Sequence, residues 1–74
     1  MNRADLLRAL AVQLEWPDLQ ETTPLADEER WDSLAQVDVV MYVQDELGHT
    51  LPADELQNVT QARDLVGLVR DRLA

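Results

Sequence analysis

The chain predicts an all-α domain, and three observations carry that reading. Apolar residues recur at helical spacing in successive stretches, no segment alternates with the two-residue period of a strand, and prolines, glycines and capping residues fall between the periodic stretches. Seventy-four residues make one domain, spanning 1–74, and a chain of that size buries only about 60% of the surface its unfolded form exposes. Little volume remains for an enclosed active-site cavity. The composition therefore points to a protein that is acted upon rather than one that catalyses.

Helix one opens at Asn2, a candidate N-cap with Asp5 three residues on. Leu6, Leu7, Leu10 and Leu14 carry its apolar seam as far as Trp16-Pro17, where proline ends the pattern. From Pro17 to Trp31 two prolines, the adjacent Thr22 and Thr23 and many acids mark a loop longer than the usual connection. Leu19, Leu25 and Trp31 are spaced through this loop and are expected to pin it to the helices. Trp16 and Trp31 are read as packing residues.

Helix two covers roughly Ser33 to Leu47. At about 100° per residue, Val39, Val40, Val43 and Leu47 form one apolar arc, while Leu34, Val37 and Met41 form an adjoining one bordered by Asp38 and Asp45. The two arcs together are too wide for so small a domain to bury. Either the second arc stays at the surface as a docking strip with an apolar centre and a charged rim, or the helix is central and buried nearly all round. The exposed strip is the expectation. Gln44 falls among apolar positions on both readings, and the sequence does not explain it.

Gly48 is the expected C-cap of helix two, and Pro52-Ala53-Asp54-Glu55-Leu56 reads as a short acidic turn of helix with proline at a tolerated first position. Thr60 is the candidate N-cap of the last helix, whose seam is Ala62, Leu65, Val66, Val69 and Leu73. Gly67, in mid-helix, costs about 1 kcal/mol relative to alanine and is expected to allow a close helix approach.

Charge and composition narrow the function. Apolar residues make up 46% of the chain, too many for a disordered acidic tail despite a net charge of −9. All six basic residues are arginines placed towards the two ends, Arg3, Arg8 and Arg30 before the central segment and Arg63, Arg70 and Arg72 after it. Asp32, Asp38, Asp45, Glu46, Asp54 and Glu55 lie in the window between Arg30 and Arg63, which has no positive charge. Such a field repels nucleic acid and anionic lipid and attracts basic protein surfaces; its plainer use is to keep a small protein soluble. There is no cysteine, so any thiol would have to be added from outside. The absence of a basic-then-apolar leader, and of any apolar run near about 18 residues, disfavours secretion and membrane insertion and makes the cytoplasm the expected address.

Conventional catalytic constellations are missing. His49 has no Cys or second His near it, the acids lack the spacing and glycine of a calcium loop, and no metal site is expected. Ser33 with His49 and an aspartate would need a nucleophile elbow and a sheet that this chain does not predict. His49 is read as a solvent-facing turn residue. The only two glycines, Gly48 and Gly67, form no phosphate-cradling loop.

Ser33, the only serine, remains. Ser33 can itself be the N-cap, with Gln36 three residues on completing a capping box, and do nothing else. Alternatively Asp32 is the cap, Ser33 is the first helical residue, and its hydroxyl points outward at the positive end of the helix dipole, where a phosphodiester is favoured.

Asp32-Ser33-Leu34 at the head of an acidic, valine-rich second helix, after a long loop, resembles the phosphopantetheine attachment motif of acyl carrier proteins. The likeness extends from the leucines of helix one through Val37, Asp38 and Met41, Leu47-Gly48, Leu51-Pro52, Thr60 and Asp64-Leu65-Val66. Trp31 before the motif is similar to what occurs in free-standing carriers outside housekeeping fatty acid synthesis. The resemblance implies a four-helix acyl-carrier-like bundle with a long first loop and a short third helix. It also implies a carrier that is not itself an enzyme, holding acyl intermediates as thioesters on a 4′-phosphopantetheine arm at Ser33.

Residue by residue, Ser33 would receive the arm from coenzyme A through a separate phosphopantetheinyl transferase, and Asp32, now the expected cap, would assist that enzyme and its magnesium ion. Leu34, Val37 and Met41, with Asp38 and Asp45, would form the strip on which loading enzymes and downstream synthases dock with basic side chains, and Asp54 and Glu55 would extend it. A monomer is expected, with no nucleic acid or membrane partner. The chain departs from the housekeeping pattern at Ala35, Gln36 and Gln44 and in having Glu29-Arg30 before the motif, which puts a positive charge near the attachment site. These departures favour a dedicated pathway carrier, of polyketide or related type. An aminoacyl or peptidyl carrier, and an unmodified acidic helical module that binds a basic partner, are the alternatives.

Overall fold

The computed structural model describes residues 1–74. It consists of α1 (Arg3–Gln13), α2 (Ser33–Leu47), a 3-10 helix (Ala53–Asn58) and α3 (Ala62–Gly67), followed by a 3-10 turn at Arg70–Arg72. This is the all-α, acyl-carrier-like arrangement, with a long first loop and a short third helix. α1 packs on both α2 and α3, and α2 packs on the 3-10 helix.

The expected cap starts α1. The Asp5 amide donates to Asn2 Oδ1 at 2.8 Å, and the Asn2 amide donates back to Asp5 Oδ2 at 3.4 Å, a reciprocal capping box. The helix does not run on to Trp16-Pro17. It ends at Gln13 because the chain turns left-handed at Glu15, with φ of 53°, so that the Trp16 amide donates to the Ala11 carbonyl at 2.8 Å and the Glu15 amide to that of Val12 at 3.2 Å. That pair of bonds satisfies the last carbonyls and swings Trp16 inward, where it is fully buried. The turn therefore ends α1 before the proline is reached.

The core consists of sixteen buried residues, every one apolar, so no buried side chain lacks a hydrogen-bond partner. α2 contributes Ala35, Val39 and Val43, one row at four-residue spacing, with Val40 and Leu47 half-buried at its edge. The first apolar arc is thus the core face, extended by Ala35, whose small side chain fits the contact. Gln44 is exposed.

Leu19, Leu25 and Trp31 are buried and pin the long loop as expected. The loop also pairs with the strand-like segment before α3, which the absence of two-residue alternation did not suggest. Pro24 lies antiparallel to Gln61, the Leu25 amide donates to the Thr60 carbonyl at 2.8 Å, and the Ala62 and Arg63 amides donate to the carbonyls of Thr23 and Glu21 at 3.0 and 2.9 Å. Backbone bonds of this kind depend on tertiary placement and leave no side-chain pattern.

The C-terminal half corrects several expectations. The short third helix is of 3-10 type and runs from Ala53 to Asn58, with Pro52 as its extended N-cap rather than its first residue. Gln61, not Thr60, is the N-cap of α3. The Thr60 hydroxyl donates to Asp64 Oδ2 at 2.7 Å, and the same oxygen accepts the amides of Thr60 and Gln61, each at 3.1 Å. The last helix is not continuous to Leu73. Regular α geometry stops at Gly67, the Leu68 amide is shared between the carbonyls of Asp64 and Leu65, the Val69 amide reaches back three residues to Val66, and Val69 leaves the helical region while staying buried. Nor does Gly67 serve a close approach, since a Cβ there would meet open space. Gly48 does cap α2, at φ of 63° with its amide donating to the Gln44 carbonyl at 3.2 Å. His49, just beyond it, is half-buried rather than fully in solvent.

Candidate functional site

The start of α2 resolves the two readings of Ser33. Asp32 has extended backbone angles, φ −92° and ψ −178°, and its Oδ1 accepts the Ala35 amide at 2.9 Å, while its carbonyl accepts the Gln36 amide at 3.1 Å. Asp32 is therefore the cap and Ser33 the first residue of the helix. Ser33 is exposed, and its hydroxyl makes no hydrogen bond to the rest of the chain. The Ser33 and Leu34 amides stay free at the open end of the helix. A free hydroxyl beside unpaired amides at the positive end of a four-turn helix suits an oxygen that bears a phosphodiester.

The second arc of α2 is at the surface. Leu34, Val37 and Met41 are 70%, 51% and 59% exposed, three of the five large apolar residues that the protein leaves in solvent. Their shared face decides between the two readings of α2, because a helix buried all round would have hidden them. Asp45 is exposed beside them and Asp38 is half-buried.

Two features around Ser33 have no signature in the sequence. Ser33, Gln36, Val37 and Val40 together with Ala53 line a shallow, mainly apolar pocket of about 220 Å³ between α2 and the 3-10 helix. Only the packing of the 3-10 helix brings Ala53 there. On the other side of the helix start, Arg30 and Asp32 share a groove with Gln13, Leu14 and Glu15 at the end of α1 and with Leu34, Ala35 and Asp38. The Arg30 guanidinium stacks on the Trp16 ring at 4.0 Å from its centre and lies 3.9 Å from Glu28 and 4.0 Å from Asp18. Its charge near the attachment motif is thus held on an aromatic face and partly balanced, an arrangement worth about 0.5–1 kcal/mol at an exposed site.

The remaining expected site residues separate. Asp54 and Glu55 are both exposed on the 3-10 helix. Glu55 lines a different groove, with Arg3, Asn58, Arg63 and Arg70, and so sits apart from the Leu34–Val37–Met41 strip.

A small helical domain with a solvent-facing hydroxyl at a helix start, an apolar strip beside it and acids at its rim has the form of a protein that holds a group out for others to handle. The family model described as phosphopantetheine attachment site matches residues 4–69. The chain belongs to this family, the non-catalytic carriers that bear a covalently attached 4′-phosphopantetheine and work by interacting with partner enzymes. Comparison with curated proteins and with solved structures gave no match. No helix is long and apolar enough to cross a membrane.

Proposed function

We propose that Ser33 is the attachment residue and that the protein presents acyl groups as thioesters to partner enzymes in a dedicated biosynthetic pathway, in the cytoplasm. The observation that carries the reading is the Ser33 hydroxyl, exposed and unpartnered at the first position of α2, with Asp32 rather than Ser33 spent on capping. The 4′-phosphopantetheine arm supplies the terminal thiol that the cysteine-free chain lacks, and with it the thioester linkage.

In the attachment step a phosphopantetheinyl transferase deprotonates the Ser33 hydroxyl. Ser33 Oγ bonds to the phosphorus of the phosphopantetheine unit as the diphosphate linkage of coenzyme A breaks, and the nucleotide part leaves with the bond's electrons. Asp32 has two roles in this proposal. One carboxylate oxygen holds the helix start, and the charge of the group helps to place the transferase and its magnesium ion. The free amides of Ser33 and Leu34 stabilise the phosphodiester once formed.

Leu34, Val37 and Met41 form the docking strip, and Asp38, Asp45 and Asp54 its acidic rim, for enzymes with basic surfaces. Glu55 contributes to docking from a separate face. Ala35, Gln36 and Gln44, together with the stacked Arg30, favour partners other than those of housekeeping fatty acid synthesis, which supports a polyketide-type or related pathway. An aminoacyl cargo would use the same attachment and the same strip, since the loading enzyme chooses the cargo.

The test is incubation of the protein with coenzyme A, magnesium and a promiscuous transferase, followed by intact-mass measurement. One phosphopantetheinyl unit is expected on the wild type and none on Ser33→Ala. A wild type that gains nothing, or a Ser33→Ala variant that gains as much, returns the protein to an unmodified interaction module.

A further inference from the structure

The apolar surface near Ser33 does not end with the strip on α2. Val12 on α1 is 72% exposed, more than any other large apolar residue of the protein. Arg8, Ala11 and Val12 share one face of α1, three and four residues apart, and with Glu15 and Pro17 they line an open, mainly apolar groove of about 440 Å³. Glu15 also lines the groove that Arg30, Asp32, Leu34 and Asp38 form at the start of α2. The two grooves therefore share a wall, and an unpartnered surface runs from Leu34 past Glu15 to Val12.

The charge along this surface has one sign. In the groove at the start of α2 the carboxylates of Glu15, Asp32 and Asp38 stand against the single guanidinium of Arg30, which already lies beside two further acids, Glu28 and Asp18. Glu15 and Asp38 have no ion pair and no side-chain hydrogen bond, and of Asp32 only Oδ1 is engaged, by the Ala35 amide. In the Val12 groove Arg8 is matched by Asp5 at 3.6 Å and does not offset the excess.

An enzyme that acts on the Ser33 hydroxyl has to seat the start of α2 in its own surface. For a chain of net charge −9 to be drawn to it, that surface has to be basic. A standard interface takes about 800 Å² and about 20–30 residues from each partner, roughly one sixth of the 4744 Å² that this chain exposes. Leu34, Val37 and Met41 with their acidic rim supply only part of such a footprint. The surface from Leu34 to Val12 is continuous with them and has the required sign.

We propose that the transferase that loads Ser33 docks across two helices, its footprint running from the α2 strip over the groove at Asp32 and Asp38 to the end of α1. Glu15 and Asp38 receive a Lys or Arg side chain of that enzyme, and Val12 receives an apolar one. Contact with both helices fixes how α2 is rotated about its own axis against the enzyme, which a strip along one helix leaves less constrained. The proposal rests on Ser33 as the attachment residue and adds α1 to the surface that the enzyme reads.

The test has two parts, both with the promiscuous transferase as probe. The ¹⁵N-labelled Ser33→Ala chain, which cannot be loaded, is titrated with unlabelled transferase, coenzyme A and magnesium. Amide signals of Val12, Leu14 and Glu15 should shift or broaden together with those of Leu34 and Val37, while Arg63, Gly67 and Arg70, which share a groove with Arg3 at the other end of α1, should not. In loading assays at physiological ionic strength the Val12→Ser/Glu15→Lys double variant should raise KM by at least about fivefold at unchanged kcat, since neither residue touches the reacting atoms. Both side chains are exposed and serine matches valine in helix propensity, so the variant should melt no lower than the wild type. Asp71→Lys, the same change of charge at an exposed site in the C-terminal turn, should leave KM within about twofold of the wild type. Signals that change on α2 but not at Val12 and Glu15, a wild-type KM in the double variant, or an equal rise in Asp71→Lys would overturn the proposal while leaving the attachment reading intact. A wild type that is never loaded would overturn both.

Discussion

The Asp32 carboxylate accepts the Ala35 amide at 2.9 Å, and this one bond decides which residue begins α2. Because Asp32 does the capping, the next hydroxyl is left free and turned to solvent, while Ala35, held by the same bond, enters the core. Asp32 thus takes the capping role, and the adjacent Ser33 hydroxyl is left available.

Substitutions at Asp32 separate capping from the proposed assistance to the transferase. Asp32→Ala should lose about 1 kcal/mol of stability, the usual cost of an N-cap, measured as a lower urea midpoint at unchanged slope. Asparagine caps as well as aspartate, so Asp32→Asn should unfold within about 0.5 kcal/mol of the wild type. If the charge assists the transferase, Asp32→Asn should nevertheless be loaded more slowly in the mass assay; loading at the wild-type rate would leave Asp32 with capping alone.

Glu15 closes α1 from a left-handed conformation that suits glycine better than any residue with a Cβ. Glu15→Gly should therefore raise stability by up to about 1 kcal/mol, relief of the left-handed strain exceeding the entropy lost by a freer unfolded chain. A lower thermal midpoint in the variant would mean that the Glu15 side chain contributes more than its backbone costs.

The carboxylate at the start of α3 makes stability depend on acid. The Thr60 hydroxyl above all, then the amides of Gln61 and Thr60, hold the Asp64 carboxyl below its ordinary 3.8. The folded state thus binds this proton less readily than the unfolded chain. The stabilisation is complete above 3.8 and is lost as the pH falls through the lower folded value. The gap in urea midpoint between the wild type and Asp64→Asn should be full near neutral pH and close in acid. A gap that persists unchanged in acid would assign it to packing.

The net charge of −9 predicts a response to ions. Sodium chloride or magnesium should raise the melting temperature by screening the repulsion among the acids of α2 and the 3-10 helix. Since only four ion pairs oppose this, all solvent-exposed, screening them costs little. A midpoint that falls with salt would show that those pairs outweigh the repulsion.

The sequence by itself determined the helical class, the caps at Asn2 and Gly48, the burial of both tryptophans and the exposed Leu34–Val37–Met41 face. Each of these follows from local rules, namely side-chain period, a side-chain oxygen within reach of its own turn, and a glycine free to turn left-handed. At Ser33 it determined less, because two neighbouring residues that can both cap a helix compete over one amide. The tertiary structure decided that contest by burying Ala35, which sets the rotation of α2 and so places Ser33 outward. The tertiary structure also ended α1 at Glu15, broke the last helix after Gly67, paired the long loop with the entry to α3, and carried Glu55 to the arginine groove. The loop pairing and the position of Glu55 depend on backbone hydrogen bonds or packing between segments distant in the chain, whereas the ends of α1 and α3 are local backbone turns that no proline or side-chain cap marks, so none of the four leaves a period or spacing to be read.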